Sequence, residues 1–117
     1  MAIDKREEGK KGEDRAVKIL KSEGYKILER NYINPFGEID IIAEEGGYLV
    51  FVEVKKRNTD TFGDPLHAIN DIKKRHMIRS AQYYLKSHKM LNKKARFDVV
   101  GITRHNVKIV KNAFLLE

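Results

Sequence analysis

Apolar and polar positions along this chain alternate with two different periods. From about Lys10 to Glu23, Ala16, Val17, Ile19 and Leu20 recur at helical spacing and Gly24 stands as a stop, which predicts a helix. The stretch from Tyr25 to Ile33 reads as extended, and Asn34-Pro35-Phe36-Gly37 as a turn. Two strands follow, roughly Glu38–Ala43 and Tyr48–Lys55, joined through Gly46-Gly47. That dipeptide permits the positive φ of a tight hairpin turn. "NTDTFGDP" reads as a loop, with Asp64-Pro65 as a helix start. From Leu66 to about His88 the positions Ile69, Ile72, Met77, Ala81, Tyr84 and Leu85 again follow helical spacing, over a length that leaves room for a break. "ARFDVVGIT" and "VKIVK" are two further strands about the turn Arg104-His105-Asn106. Helix, hairpin, helix, hairpin predicts one α/β domain over residues 1–117, with a mixed central sheet flanked by helices.

The first hairpin breaks the pattern with charge. Val50, Val52 and Val54 occupy one face of the second strand, and Leu49 and Phe51 begin the other. A strand apolar on both sides belongs in the middle of a sheet, yet Glu53 and Lys55 end it. With a two-residue Gly46-Gly47 loop, Glu45 pairs with Tyr48, and counting outward sets Asp40 opposite Glu53 and Glu38 opposite Lys55. Directly opposed side chains lie about 4.5–5.5 Å apart at Cβ, so all four charges are expected on one face. Two carboxylates that close repel unless a cation lies between them. Lys55 could be that cation, or a divalent metal such as Mg²⁺ or Mn²⁺, which suits oxygen ligands. A salt-bridged polar rim at the end of the sheet is the competing reading. Glu13 precedes Val17 by four residues and Leu20 by seven, so it shares the apolar face of the first helix and can point at the sheet. An ordinary first-turn Glu favoured by the helix dipole is the alternative there.

Net charge adds a partner class. The chain carries 24 Lys and Arg against 17 Asp and Glu, a formal +7. Such an excess attracts polyanions, of which nucleic acid is the commonest in a cytoplasm, or serves as a solubilising surface. Lys73, Lys74, Arg75 and Arg79 cluster, as do Lys86, Lys89, Lys93, Lys94 and Arg96. Without cysteine there is no disulfide framework and no thiolate metal site. The charged N-terminus lacks the apolar core of a signal peptide, and no apolar run approaches the ~20 residues that span a bilayer. A cytoplasmic protein with no membrane association is expected.

"GEID", followed thirteen residues after its Asp by the Glu of "FVEVK", resembles the Asp…Glu-x-Lys core of the PD-(D/E)xK nuclease superfamily. The longer pattern "GEDRAVKIL…GYKILERNY…FGEIDIIA…VFVEVKKR…RFDVVGI…NAF" covers nearly the whole chain and is similar to the YraN-like family of that superfamily, whose members are taken to be endonucleases. The resemblance implies a restriction-endonuclease-like fold, as in archaeal Holliday-junction resolvases. It implies Asp40 and Glu53 as metal ligands, Lys55 as the catalytic lysine, and Glu13 as the acidic residue of the first helix. One departure is that Asp40 follows Ile39 rather than proline.

The chemistry suits these residues on its own terms. Phosphodiester hydrolysis needs an activated water and stabilised negative charge at phosphorus. Asp40 and Glu53 would hold Mg²⁺ or Mn²⁺, Lys55 would stabilise developing charge or orient the water, and Glu13 would complete the metal shell directly or through water. Glu38 is expected as a supporting or surface residue. Lys56, Arg57, Lys73, Lys74, Arg75 and Arg79 are expected to contact phosphate, or else to form a solvated face. Of Tyr83 and Tyr84, one reads as core and one as rim, where it could stack on a base. Asp98 reads as a strand-edge salt bridge. His67, His76, His88 and His105 lack zinc-ligand spacing. The leading expectation is a metal-dependent endonuclease on DNA, of branched or flapped form, with two copies acting together on a junction. A non-catalytic nucleic-acid-binding module and an RNA-directed nuclease are the alternatives.

Overall fold

A computed structural model describes residues 5–57 and 69–114. Helix α1 spans Lys5–Ser22, and strands β1 (Lys26–Asn34), β2 (Gly37–Glu45) and β3 (Tyr48–Lys56) follow. Helix α2 (Asp71–Ser87) then leads to β4 (Ala95–Ile102) and β5 (Val107–Phe114). The five strands form one sheet in chain order, antiparallel throughout except for the parallel β3–β4 pair. This is the expected α/β class with a mixed sheet flanked by helices, the restriction-endonuclease-like arrangement. The extended segment after α1 adds a fifth strand.

Two apolar layers explain why β3 is hydrophobic on both sides. Leu49 and Phe51 face α2 and pack with Met77, Ala81, Tyr84 and Leu85. Val50 and Val52 face α1 and pack with Ala16 and Leu20. All four β3 residues are fully buried. Each such side chain removed from water contributes about 1.5–3 kcal/mol, which anchors the strand that ends in Glu53 and Lys55.

Local chemistry sets the element ends. Gly24 takes φ 91° after α1. The Tyr25 N–H then donates to Leu20 O and the Gly24 N–H to Lys21 O, the paired bonds of a Schellman motif. Gly46 and Gly47, at φ 58° and 83°, close the hairpin between the paired Glu45 and Tyr48, as expected. The expected helix start at Asp64-Pro65 lies outside the described residues; α2 begins at Asp71. Its N-cap is Asn70, whose side chain accepts from the Lys73 N–H at 2.8 Å.

The β2 strand is irregular at one point. Arg30 pairs with Ile41 and Tyr32 with Ile39, so Asn31, at φ 54°, stands opposite Asp40. Ile42 and Ile39 both face α2, while Ile41 and Ala43 face α1. Alternation therefore fails between Ile39 and Ile42, on either side of Asp40.

Candidate functional site

The β2–β3 ladder has the expected register from Glu45↔Tyr48 to Ile41↔Val52, and there it ends. One residue further on, the Asp40 side chain takes the place of a backbone acceptor: its Oδ2 accepts from the Val54 N–H at 2.8 Å. The carboxylate thus sits where the two strands part. Glu53 is buried beside it, 4% exposed, and among the described residues Glu53 Oε2 has no hydrogen-bond partner. A buried acceptor left unpaired costs about 1–3 kcal/mol, more when it is charged, so this oxygen needs a cation or a proton.

Electrostatics express the same demand. Burial, then the adjacent Glu53, pushes Asp40 up from an ordinary 3.8 to about 7, with Glu13 adding a smaller push in the same direction. Burial also raises Glu53, opposed by the charges of Lys73 and Lys55. Lys73 Nζ lies 3.4 Å from Glu53 Oε1, and Lys55 Nζ lies 3.9 Å from the same atom. Two partly exposed ammonium groups thus converge on one oxygen of Glu53, and among the described residues the other stays unpaired.

Glu13 approaches from α1. It lines a cleft of about 210 Å³ with Gly9, Gly12, Asp40, Val54 and Lys56. Gly12 is buried, and a Cβ there would stand 3.0 Å from Lys56 Cδ, so glycine lets the Lys56 stem lie against the helix. The Glu13 carboxylate accepts from Arg30 Nε at 3.3 Å, and Arg30 reaches Asp14 at 2.7 Å. Among the described residues no group of three or more His, Cys, Asp or Glu side chains could by itself hold a metal ion. Asp40, partly exposed, and the buried Glu53 form the acidic pair, and Glu13 flanks it while held by Arg30.

Other expected residues fall elsewhere. Glu38 is exposed, and the β2–β3 ladder ends at Ile41↔Val52, before it could be paired with Lys55. The change of alternation around Asp40 takes it out of the four-charge face. Lys73 is not simply a solvated phosphate contact, since its ammonium is within the acidic site. Lys74 Nζ stands 5.9 Å over the Phe114 ring, and Arg57, Arg75 and Arg79 are exposed. The four α2 cations therefore do not share one face. His67 lies outside the described residues. Among the described residues no helix is long and apolar enough to cross a membrane.

Asp98 forms salt bridges, but not at a strand edge: it is fully buried on β4, between β3 and β5. Arg96 Nε donates to it at 2.9 Å, the Tyr25 hydroxyl at 2.6 Å and the Asn112 N–H at 2.9 Å. Arg96 reaches on to Glu45 at 3.0 Å, and Lys111 to Glu45 at 2.8 Å. Burial, reinforced by the bond to Asp98, holds the Tyr25 hydroxyl well above its ordinary range. This network sits at the hairpin-turn end of the sheet, away from Asp40, and is structural. Strand periodicity could not reveal it, because its members come from β2, β4, β5 and the residue just before β1.

The model of the uncharacterised protein family UPF0102 matches residues 12–102. A UPF0102 protein of Persephonella marina is 46% identical over 109 residues, covering 93% of this chain and 94% of that protein. One of Caldicellulosiruptor saccharolyticus is 45% identical over 118 residues, covering 96% and 100%. One of Thermodesulfovibrio yellowstonii is 44% identical over 108 residues, covering 91% and 94%. The matched region contains Glu13, Asp40, Glu53, Lys55 and Lys73, so the site lies within what the relatives share in length. The chain belongs to the uncharacterised protein family UPF0102, the YraN-like family that its motifs resemble.

Proposed function

We propose that this chain is a metal-dependent endonuclease that hydrolyses phosphodiester bonds in DNA. The close approach of Asp40 to the buried Glu53, whose Oε2 has no partner among the described residues, supports that activity most directly. A protein gains nothing in DNA affinity from two desolvated carboxylates facing phosphate, whereas a divalent cation between them would remove the repulsion. Mg²⁺ is commonly held by one or two carboxylates together with substrate phosphate, so Asp40 and Glu53 form a sufficient protein share. Bound there, Mg²⁺ or Mn²⁺ would supply the Lewis acidity that polarises a phosphate and activates water.

The chain's own groups divide the remaining work. Asp40 is aimed by the Val54 N–H, which leaves its other oxygen for a ligand. Lys55 offers an ammonium beside Glu53 for charge that develops on the phosphate. Lys73 offers a second and, with Lys55, favours the ionised form of Glu53. Glu13 adds a third acidic group to the cleft. The +7 charge supports a polyanionic substrate.

Purified protein incubated with labelled linear, flap and four-way-junction DNA, and with RNA of matching form, tests the proposal. Cleavage should require Mg²⁺ or Mn²⁺ and vanish in Asp40→Asn and Lys55→Ala. Binding without cleavage under every metal condition would leave a nucleic-acid-binding module. Cleavage confined to the RNA would move the substrate class.

A further inference from the structure

Far along α2 from the acidic pair, two aromatic rings face solvent. Phe36 and Tyr83 are 40% and 41% exposed, and their centroids stand 6.2 Å apart at 68°. With Arg79, Gln82 and Lys86 they line an open groove of about 340 Å³. The outcome for the tyrosine pair is clear: Tyr84 is core and Tyr83 is rim.

The aromatic pair is held in place. Phe36 lies in the turn between β1 and β2, and Asn34 fixes that turn. Asn34 Oδ1 accepts from the Phe36 N–H at 2.9 Å and from the buried Ser80 hydroxyl at 3.1 Å. One side chain thus shapes the hairpin tip and ties it to α2, setting Phe36 beside Tyr83. A solvated loop has no need of such a tether, and two rings left bare cost apolar exposure.

We infer that this groove binds an unpaired base of a DNA strand, stacked on one ring of the Phe36–Tyr83 pair with the other ring against its edge, and with Arg79 and Lys86 on the flanking phosphates. The inference rests on the nuclease reading only in taking DNA as the substrate. Charge complementarity selects this occupant. Among the described residues the lining offers two aromatic rings and two cations and has no carboxylate, the combination that binds single strands. A protein partner of ordinary size needs roughly 800 Å² of each surface, far more than two rings provide. Arg79 also lines a shallow cleft with Ile72, Arg75 and His76, which extends the basic strip back towards the start of α2. Lys73, beside Glu53, precedes Tyr83 by ten residues. At 1.5 Å per residue the stacking site lies ~15 Å along the helix from the acidic pair. That is roughly four base steps at ~3.4 Å each. A strand cut at Asp40 and Glu53 would have an unpaired base several nucleotides away, which suits flaps and junctions better than continuous duplex.

Fluorescence anisotropy in EDTA, where no cutting occurs, tests this with full-length protein, a labelled oligothymidylate and a blunt duplex of equal length. Tyr83→Ala and Phe36→Ala should each weaken oligothymidylate binding roughly 5- to 150-fold while leaving duplex affinity within about twofold. Tyr83→Phe should bind like the wild type, because stacking needs the ring and not the hydroxyl. Unchanged oligothymidylate affinity in both alanine variants, or equal losses on both DNAs, would overturn the inference. So would loss of a dimer in sedimentation with single-strand affinity intact, which would make the patch a self-interface. If wild type cuts DNA with Mn²⁺ while the alanine variants still bind single strands normally, only the stacking site falls. If wild type binds neither DNA, the nuclease proposal falls with it.

Discussion

Replacing Asp40 with asparagine should stabilise the metal-free protein. Burial and Glu53 hold this carboxyl at about 7, against an ordinary 3.8. A carboxyl raised in the folded state favours folding fully below its unfolded pKa, and that contribution is lost as pH rises through the folded one. The window therefore runs from about pH 4 to about pH 7. Each unit corresponds to about 1.4 kcal/mol, so three units set a ceiling of about 4 kcal/mol. Asp40 is partly exposed, and screening brings the expectation to about 2–3 kcal/mol. Asparagine is neutral at every pH, nearly isosteric, and keeps an oxygen for the Val54 N–H. In EDTA at pH 8, Asp40→Asn should thus melt roughly 10 °C above wild type, and the gap should narrow towards pH 4. Millimolar Mn²⁺ should close most or all of that gap. Ligand at 100 times its Kd stabilises by about 2.7 kcal/mol, available only to the protein that keeps both carboxylates. Thermal melts at pH 5 and pH 8, with EDTA or Mn²⁺, measure all of this. A variant less stable than wild type by the same amount at both pH values, with no Mn²⁺ effect on either protein, would refute the reasoning. Asp40 would then be only an acceptor for Val54.

Lys55→Ala should lower the cleavage rate by about 10²-fold or more while changing DNA affinity less than about threefold, because its charge is assigned to the transition state. Equal losses in single-turnover rate and Kd would make it a phosphate contact. Lys73→Met removes a charge that favours ionised Glu53, so the pH at which Mn²⁺ begins to bind, followed by calorimetry, should rise; an unchanged profile would separate Lys73 from the site. Asp98→Ala strands the buried Arg96 and should cost about 3–5 kcal/mol in urea melts without altering metal binding. Arg75→Gln and Arg79→Gln should each flatten the slope of log K against log[salt] by roughly 0.9, whereas Lys74→Gln, whose ammonium is over Phe114, should change it little. Junction DNA should bind more tightly than linear DNA of equal length, with two copies on the junction by sedimentation; indifference to shape would leave a general nuclease.

Periodicity and turn chemistry alone determined the layer order, the central place of β3 and the hairpin register. Those features are local: the Gly46-Gly47 turn and the alternation of Leu49 to Val54 act over a few residues, and every bond they specify lies within the hairpin. The same counting set Asp40 near Glu53, whose charge it does feel, although the backbone ladder ends one pair earlier at Ile41↔Val52. It failed for Glu38, because counting assumes unbroken alternation and Asn31 at φ 54° marks a break opposite Asp40. No apolar pattern distinguishes an asparagine in that conformation from one in an ordinary strand. The start of α2 was not legible for a related reason, since helical spacing runs on from Leu66 and only the extended backbone at Asn70 marks a cap there. The remaining features depended on how separate elements meet. Lys73 reaches Glu53 across twenty residues, Arg30 reaches Glu13 across 17, and Tyr25 reaches Asp98 across 73. Helical spacing tells which residues share a face but not which strand end that face will meet. The rotation of α2 over the sheet, set by Met77, Ala81, Tyr84 and Leu85 packing on Leu49 and Phe51, turned one cation of a basic run into the acidic site and left Tyr83 outside beside Phe36.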